Sequence, residues 1–316
     1  MRTLIALTVL LLGPAGAATA QDYPAKPVRL VTSEPGGSAD VAARIMAQGL
    51  TAALGQQVIV ENRASGVIPG DVVAHSPADG YTLLFFGGTF WLQPLLRARV
   101  PYDPIRDFAP ITLAVISPGI LVVHPALPVR NVRELIALAK ARPGELNYAM
   151  GSTGSTNHLG AELFKAMAGV NMVGIPYRGN GPAVTGLIGG QVQLMIATAM
   201  SVVPHIKSGR MRALAVASTQ PSALAPGLPT IASSGLPGYE SVSTTAIFAP
   251  ARTPESIIRR LNDDSVRFLR TPEAKDRYLA VGAETVGGTP DELAATVKSE
   301  LTRMGKVISD ARIRAE

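Results

Sequence analysis

The chain has 316 residues, 47% hydrophobic and 16% charged, a globular composition long enough for two domains with sizeable cores. It contains no cysteine, which excludes thiol catalysis, disulfides and thiolate metal sites together. The formal net charge of +6 comes from scattered basic residues with no Lys/Arg run and little aromatic interleaving, which argues against a nucleic-acid partner.

Residues 1–20 read as a targeting segment. Met1-Arg2 supplies the positive start, Leu4 to Leu12 the apolar core, Gly13-Pro14 the break and Ala18-Thr19-Ala20 the small-residue cleavage site. That core is too short to span a bilayer, which takes ~20 residues. Cleavage after Ala20 leaves an exported, soluble chain starting at Gln21, with no cysteine to carry a lipid and no later stretch apolar enough to cross a membrane.

Val28–Val31 predicts the first strand, and Pro35-Gly36-Gly37-Ser38-Ala39-Asp40 a small-residue turn into a helix over Ala39 to Leu54. Gly55 ends that helix. Gln57–Val60 predicts the second strand, a short helix runs from Gly70 to His75, and Asp79-Gly80 turns into the strand Tyr81–Phe86. Gly87-Gly88-Thr89 is another small-residue turn at a strand's carboxyl end. Val129 to Arg142 reads as a helix. A second block then repeats the order: strand Leu146–Met150, turn Gly151-Ser152-Thr153-Gly154-Ser155-Thr156, helix Asn157–Ala168, strand Met172–Ile175, helix Gly181–Ile188 and strand Gln191–Ala197. Met211–Ala217 is a strand, Pro221 to Pro237 a surface loop, and Ser243 to Phe248 a strand returning to the first lobe. Helices over Pro254–Leu269, Pro272–Val281 and Pro290–Ala311 finish the chain and pack on that lobe. Thr271-Pro272 and Thr289-Pro290 carry the cap-plus-first-turn signature.

Two alternating β/α blocks predict parallel sheets in two lobes, with ligands beyond the carboxyl ends of the strands. A turn of small residues between strand and helix leaves the first helical N–H groups unpartnered at the positive end of the helix dipole, an anion site. Two such turns face a cleft and close on a carboxylate. The plainer alternative is that Ser38 caps its helix and the glycines merely turn the chain. The second turn is richer in hydroxyls and bare backbone than one cap requires. Asp40, in the first helical turn, reads as structural.

Neither a Gly-x-Ser-x-Gly elbow nor His-Glu-x-x-His occurs, and the second turn lacks the lysine of a phosphate loop. His75, His124, His158 and His205 lack ligand spacing. No catalytic residue, metal or cofactor is expected. His158 stands out because it follows the second turn; it either bonds to its own turn or touches a ligand. A hydrolase would need His158 as base beside Ser155 or Ser152, but no acid is evident to orient it.

The markers Tyr23-Pro24-x-Lys26-Pro27-Val28-Arg29-Leu30-Val31, Pro35-Gly36-Gly37-Ser38-x-Asp40, Val60-Glu61-Asn62-Arg63, Asp79-Gly80-Tyr81-Thr82-Leu83, Pro101-Tyr102-Asp103-Pro104 and Pro176-Tyr177-Arg178-Gly179 occur in order. With Gly189-Gly190-Gln191-Val192-Gln193 and Gly235-Leu236-Pro237-Gly238-Tyr239-Glu240, they make residues 22–316 resemble the Bug family, periplasmic solute-binding receptors of tripartite tricarboxylate transporters. The resemblance implies an α/β, two-lobed periplasmic-binding-protein fold of type II that closes over its ligand by hinge motion. Each lobe is then a mostly parallel sheet flanked by helices: residues 21–123 with 245–316 form lobe 1, and 124–244 form lobe 2. It also implies a monomeric, non-enzymatic receptor that hands a dicarboxylate, tricarboxylate or aromatic acid to a membrane permease; signalling to a membrane sensor is the alternative.

Carried over, the ligand-binding residues are Gly36, Gly37 and Ser38 in the first turn and Ser152, Thr153, Gly154, Ser155 and Thr156 in the second; their place at the turns adds Pro35, His158, and Gly88 and Thr89 of the third turn as candidates. Departures from the family pattern add Ser33 and Glu34, where an aromatic residue and a proline are usual, Ala197 and Thr198, where an Asp is common, and Thr244 with Thr245, which replace an aromatic pair. Glu34 would oppose a second ligand carboxylate, or meet a ligand amine.

Overall fold

A computed structural model describes residues 23–315 apart from 34, 36, 37, 64, 65, 152 and 178. The expected targeting segment with its expected cleavage site, and four of the expected site residues, Glu34, Gly36, Gly37 and Ser152, lie outside the described residues.

In chain order the elements are β1 (Val28–Thr32), α1 (Ser38–Leu54), β2 (Val58–Asn62), α2 (Ile68–Ala74), β3 (Thr82–Gly87), α3 (Thr89–Leu96) and β4 (Phe108–Val123). Then follow α4 (Val132–Ala141), β5 (Asn147–Met150), α5 (Thr156–Ala168), β6 (Val173–Pro176), α6 (Asn180–Ile188), β7 (Leu194–Thr198), α7 (Ala199–Lys207) and β8 (Arg212–Val216). β9 (Val242–Pro250), α8 (Glu255–Leu269), α9 (Pro272–Ala280), β10 (Glu284–Thr285) and α10 (Pro290–Asp310) complete the chain. No helix among the described residues is long and apolar enough to cross a membrane.

The two predicted blocks are built alike. β1 lies between β2 and β3, and β5 lies between β6 and β7, all in parallel. Each triplet is closed on its third strand by an antiparallel partner, β9 on β3 and β4 on β7. The buried faces match the sequence: Val28, Leu30, Leu83 and Phe85 pack with Met46 and Leu50 of α1, while Ala149, Met195 and Ala197 pack with Ala183 and Leu187 of α6.

β4 joins the halves. It pairs with β9 from Phe108 to Pro118, then with β7 and β8 from Gly119 to Val123. Its length was not legible in the sequence, because Pro110, Pro118 and Gly119 look like strand breakers. The ladder shifts register between Pro110 and Thr112, and Pro118 lies where β4 changes partner, so the prolines sit at irregularities where a missing N–H costs little. At Gly119 a β-carbon would come within 2.9 Å of Ile196, so the bare backbone lets β7 approach.

The helix over 129–142 begins at Val132 because the Asn131 side chain accepts the Glu134 N–H and caps it there. Thr271 and Thr289 cap α9 and α10 as their Thr-Pro pairs predict, and Glu292 completes a capping box with Thr289. Two expectations change. The Pro221–Pro237 stretch is not simply a surface loop. Its backbone is tied to β8 through Val216 N–H to Pro229 O and Ile231 N–H to Val216 O, both 2.8 Å, and Ile231 and Leu236 are buried as plugs of the core. The C-terminal helices are not confined to the first half: α8 and α9 pack on α1, but α10 packs on α3, β4 and also on α5.

Candidate functional site

β1 and β3 run parallel, and so do β5 and β7, so within each triplet the carboxyl ends share an edge. Strand β4 brings the two edges together: Thr245 pairs with both Gly87 and Val115, and Thr198 pairs with Gly119. The two rows are four residues apart along β4, roughly 13 Å.

At the first turn, Ser33 is half-buried and Pro35 exposed, and Ser38 opens α1. The Ser33 carbonyl accepts Asn62 Nδ2 at 2.7 Å, and the same nitrogen donates to Asp40 Oδ1 at 2.8 Å. Asp40 is 3% exposed and paired with Arg44 at 3.0 Å. It is structural, tying the start of α1 to the ends of β1 and β2.

At the second turn, Gly154 takes φ +78, a conformation that favours glycine, and Thr153 is exposed. The Ser155 hydroxyl caps α5 by accepting the His158 N–H at 3.4 Å, which leaves its own hydrogen free to donate. His158 is buried, and its Nδ1 accepts the Gly154 N–H at 3.1 Å, so it bonds to its own turn. Burial holds the imidazole below its usual pKa, helped slightly by Lys165 and opposed by Glu162. The neutral ring therefore stabilises the fold fully above the unfolded value of about 6.5, and that contribution is lost as pH falls through the lower folded value. Wild-type protein is expected to lose thermal stability from about pH 7.5 to about pH 5 more steeply than His158→Gln, whose amide oxygen accepts the same N–H without titrating. Parallel melting curves would refute the assignment.

The third turn meets the second. Gly88 donates its N–H to Thr244 O at 2.9 Å, and Thr89 is the first residue of α3. Gly88, Thr89, Thr156 and Thr244 line one cavity of about 30 Å³, together with Leu92 and with Glu300 and Arg303 of α10. Thr198 lies elsewhere: with Ala42, Ser117, Ser243 and Thr245 it lines a second cavity of about 40 Å³. The split follows from strand alternation, since Thr244 and Thr245 face opposite sides of β9. Ala197 is fully buried in the apolar cluster around β7, so its methyl is part of the core.

Reasoning from sequence missed Glu300, Arg303 and Trp91. The first two look like solvated charges on an amphipathic helix, and only the packing of α10 over α3 and α5 turns them inward. Trp91 is fully buried and donates its Nε1–H to Glu300 Oε2 at 2.9 Å. Burial raises the Glu300 carboxyl above its usual range; the Trp91 bond and Arg303 pull it down, and Glu240 adds to the rise.

Residues 42–313 match the family model described as tripartite tricarboxylate transporter family receptor. Protein BugT of Bordetella pertussis is 38% identical, with 98% of either chain covered. A solved protein of R. palustris with adipate is 37% identical at a TM-score of 0.79, covering 93% of this chain and 99% of that one. MatC from Rhodopseudomonas palustris, solved with bound malate, is 28% identical at a TM-score of 0.75, covering 90% of this chain and all of the other (100%). Paired β/α triplets joined by β4, and similarity along nearly the whole length, lead to one conclusion: the chain belongs to the tripartite tricarboxylate transporter receptor family and has its two-lobed periplasmic-binding-protein fold.

Proposed function

We propose that this receptor captures a small organic carboxylate between the starts of α1 and α5 and delivers it to a membrane permease. In this reading the chain is exported to the periplasm after cleavage behind Ala20, acts as a monomer and performs no catalysis. Its lobes are 21–123 with 245–316, and 124–244. The observation that carries it is the second turn, where left-handed Gly154 and the capping Ser155 present backbone and hydroxyl donors at the positive end of α5. The adipate and malate held by two family relatives support the ligand class.

The energetics require both turns. A hydrogen bond to a charged group contributes roughly 1.5–3 kcal/mol and a helix terminus about 0.3–1, or up to about 2 when partly buried. Micromolar affinity needs about 8 kcal/mol after the cost of immobilising the ligand. One turn falls short; two turns plus contacts to the ligand body reach it, which couples binding to closure.

Calorimetry against a panel of organic acids is expected to give one-site binding, weakened by roughly 1–3 kcal/mol in Ser155→Ala or Thr156→Ala. Binding of no acid in the panel refutes the reading; unchanged affinity in both variants reduces the second turn to a helix cap. A hydrolase is disfavoured because, among the described residues, His158 Nδ1 is engaged by Gly154 and Ser155 Oγ by a backbone N–H.

A further inference from the structure

The basic residues are scattered along the sequence but not through the molecule. Residues 124–244 hold nine Lys or Arg against four Glu and no Asp, a net of +5 out of +6 for the whole chain. The fold gathers seven of the nine at one end of the second triplet. β4 ends there at Val123, opposite Leu194 at the start of β7 and Arg212 at the start of β8. Arg212 Nη1 donates to Leu127 O at 3.1 Å and to Val129 O at 2.9 Å, which fastens β8 to the segment leading into α4. The chain returns from α4 to β5 at the same edge, where His124 N–H reaches Gln193 O at 2.9 Å and Gln193 N–H reaches Asn147 O at 2.8 Å.

Arg130 and Arg133 stand at the start of α4, Lys140 and Arg142 at its close, and Lys207 and Arg210 at the junction of α7 with β8. All six are exposed. The carboxylates of this half are engaged elsewhere: Glu162 pairs with Lys165, Glu240 pairs with Arg303 of α10, and Glu134 accepts the Arg130 N–H at 2.6 Å at the head of α4. Only Glu145 remains, so the six cations have no ion-pair partner among the described residues. The other half shows the opposite pattern, with Glu61 between Arg29 and Arg63 and Asp264 between Arg260 and Arg267. A patch of one sign repels itself, and an anionic surface laid against it relieves that repulsion.

We propose that this end of the molecule adsorbs reversibly on the anionic phospholipid headgroups of a membrane. Clusters of about four to eight Lys or Arg suffice for such recognition. The chemistry favours lipid over a protein partner. Protein interfaces are anchored by aromatic side chains in a well-packed centre. Here Tyr148, Phe164 and Tyr239 are buried, and Tyr177 follows the opposite end of β6. What the patch offers is long cations on separate segments, which mobile headgroups match without a fixed register. The position suits a receptor of a membrane-transporter family. β7 runs from the patch at Leu194 to Thr198, four residues or roughly 13 Å away, and the turns lie at those far, carboxyl ends. Lipid contact therefore leaves the second turn uncovered and confines the search for a permease to two dimensions.

The test is cosedimentation of the receptor with phosphatidylethanolamine vesicles containing about one-third phosphatidylglycerol, against vesicles of phosphatidylcholine alone. Binding is expected to the anionic vesicles only, and to vanish at about 1 M salt, where the Debye length falls to about 3 Å. Arg133→Gln with Lys140→Gln is expected to weaken it about 25-fold, or about fivefold per charge. Arg270→Gln with Lys275→Gln, both exposed on the other half, removes the same net charge and is expected to change it by no more than about twofold. Melting curves are expected to match the wild type; should the first pair unfold the chain, Lys207→Gln with Arg210→Gln carries the same expectation. Equal binding to neutral vesicles, or equal losses in the two double variants, would overturn the proposal. So would displacement by inorganic phosphate at matched phosphate concentration, which would make the patch a site for a free ion. Capture on immobilised polyglutamate without vesicle binding would also overturn it, because the partner would then be an acidic protein.

Discussion

Gly154→Ala is expected to lower stability by about 2–4 kcal/mol and carboxylate affinity by at least about tenfold. Residue 154 sits at φ +78, where an L-side chain costs about 1–2 kcal/mol. A new β-carbon would also lie 2.7 Å from Leu96 Cδ1 on α3. Leu96 is 2% exposed and packed in the core, so it cannot swing aside without opening a hole. The second turn must therefore back away from α3, which moves the Ser155 cap and breaks the register between the turns. A double-mutant cycle separates strain from clash. Leu96→Ala leaves a cavity and costs about 2–5 kcal/mol by itself, but it relieves the steric part in the double variant. The double variant should then be less destabilised than the sum of the singles by about 1–2 kcal/mol. Strict additivity would show that the turn does not press on α3.

Asp40→Ala carries the second large effect, an expected loss of about 2–3 kcal/mol, read as roughly 2–4 °C in Tm per kcal/mol. The carboxylate is 3% exposed and shares Asn62 Nδ2 with the Ser33 carbonyl, so its removal unfastens the end of β1 from the first turn of α1. It also takes a negative charge from the positive end of that helix, worth about 0.3–1 kcal/mol. The Arg44 pair adds little, because Arg44 is 55% exposed and screened by solvent. Asp40→Asn keeps a hydrogen-bonding oxygen and should recover part of the loss. Should Asp40→Ala melt with the wild type, the network would be incidental. Carboxylate affinity should weaken along with stability, since the turn that Asp40 anchors precedes α1.

Periodicity made the paired blocks legible. Alternating strand and helix patterns around Val28–Phe86 and Leu146–Ala197 gave the parallel triplets, and Thr271-Pro272 and Thr289-Pro290 marked helix starts whose signals lie within a few residues. The second turn was legible for the same reason: Gly154 and Ser155 act on neighbours along the chain. β4 was hidden because its prolines speak locally against a strand, and their irregular register is decided by β9, over a hundred residues away.

The amino-acid order by itself thus determined what depends on neighbours in the chain: the two β/α blocks, the helix caps and the small-residue turns between strand and helix. Only the tertiary structure decided which of their residues share a space. It placed Thr244 with Gly88 and Thr156, sent Thr198 to the other cavity and buried Ala197 in the core. It also brought Glu300 against Trp91, 209 residues apart in sequence, by laying α10 across both halves of the molecule. The physical reason is burial: a carboxylate or hydroxyl on a helix or strand looks the same in sequence whether water or protein faces it, and packing alone removes the water.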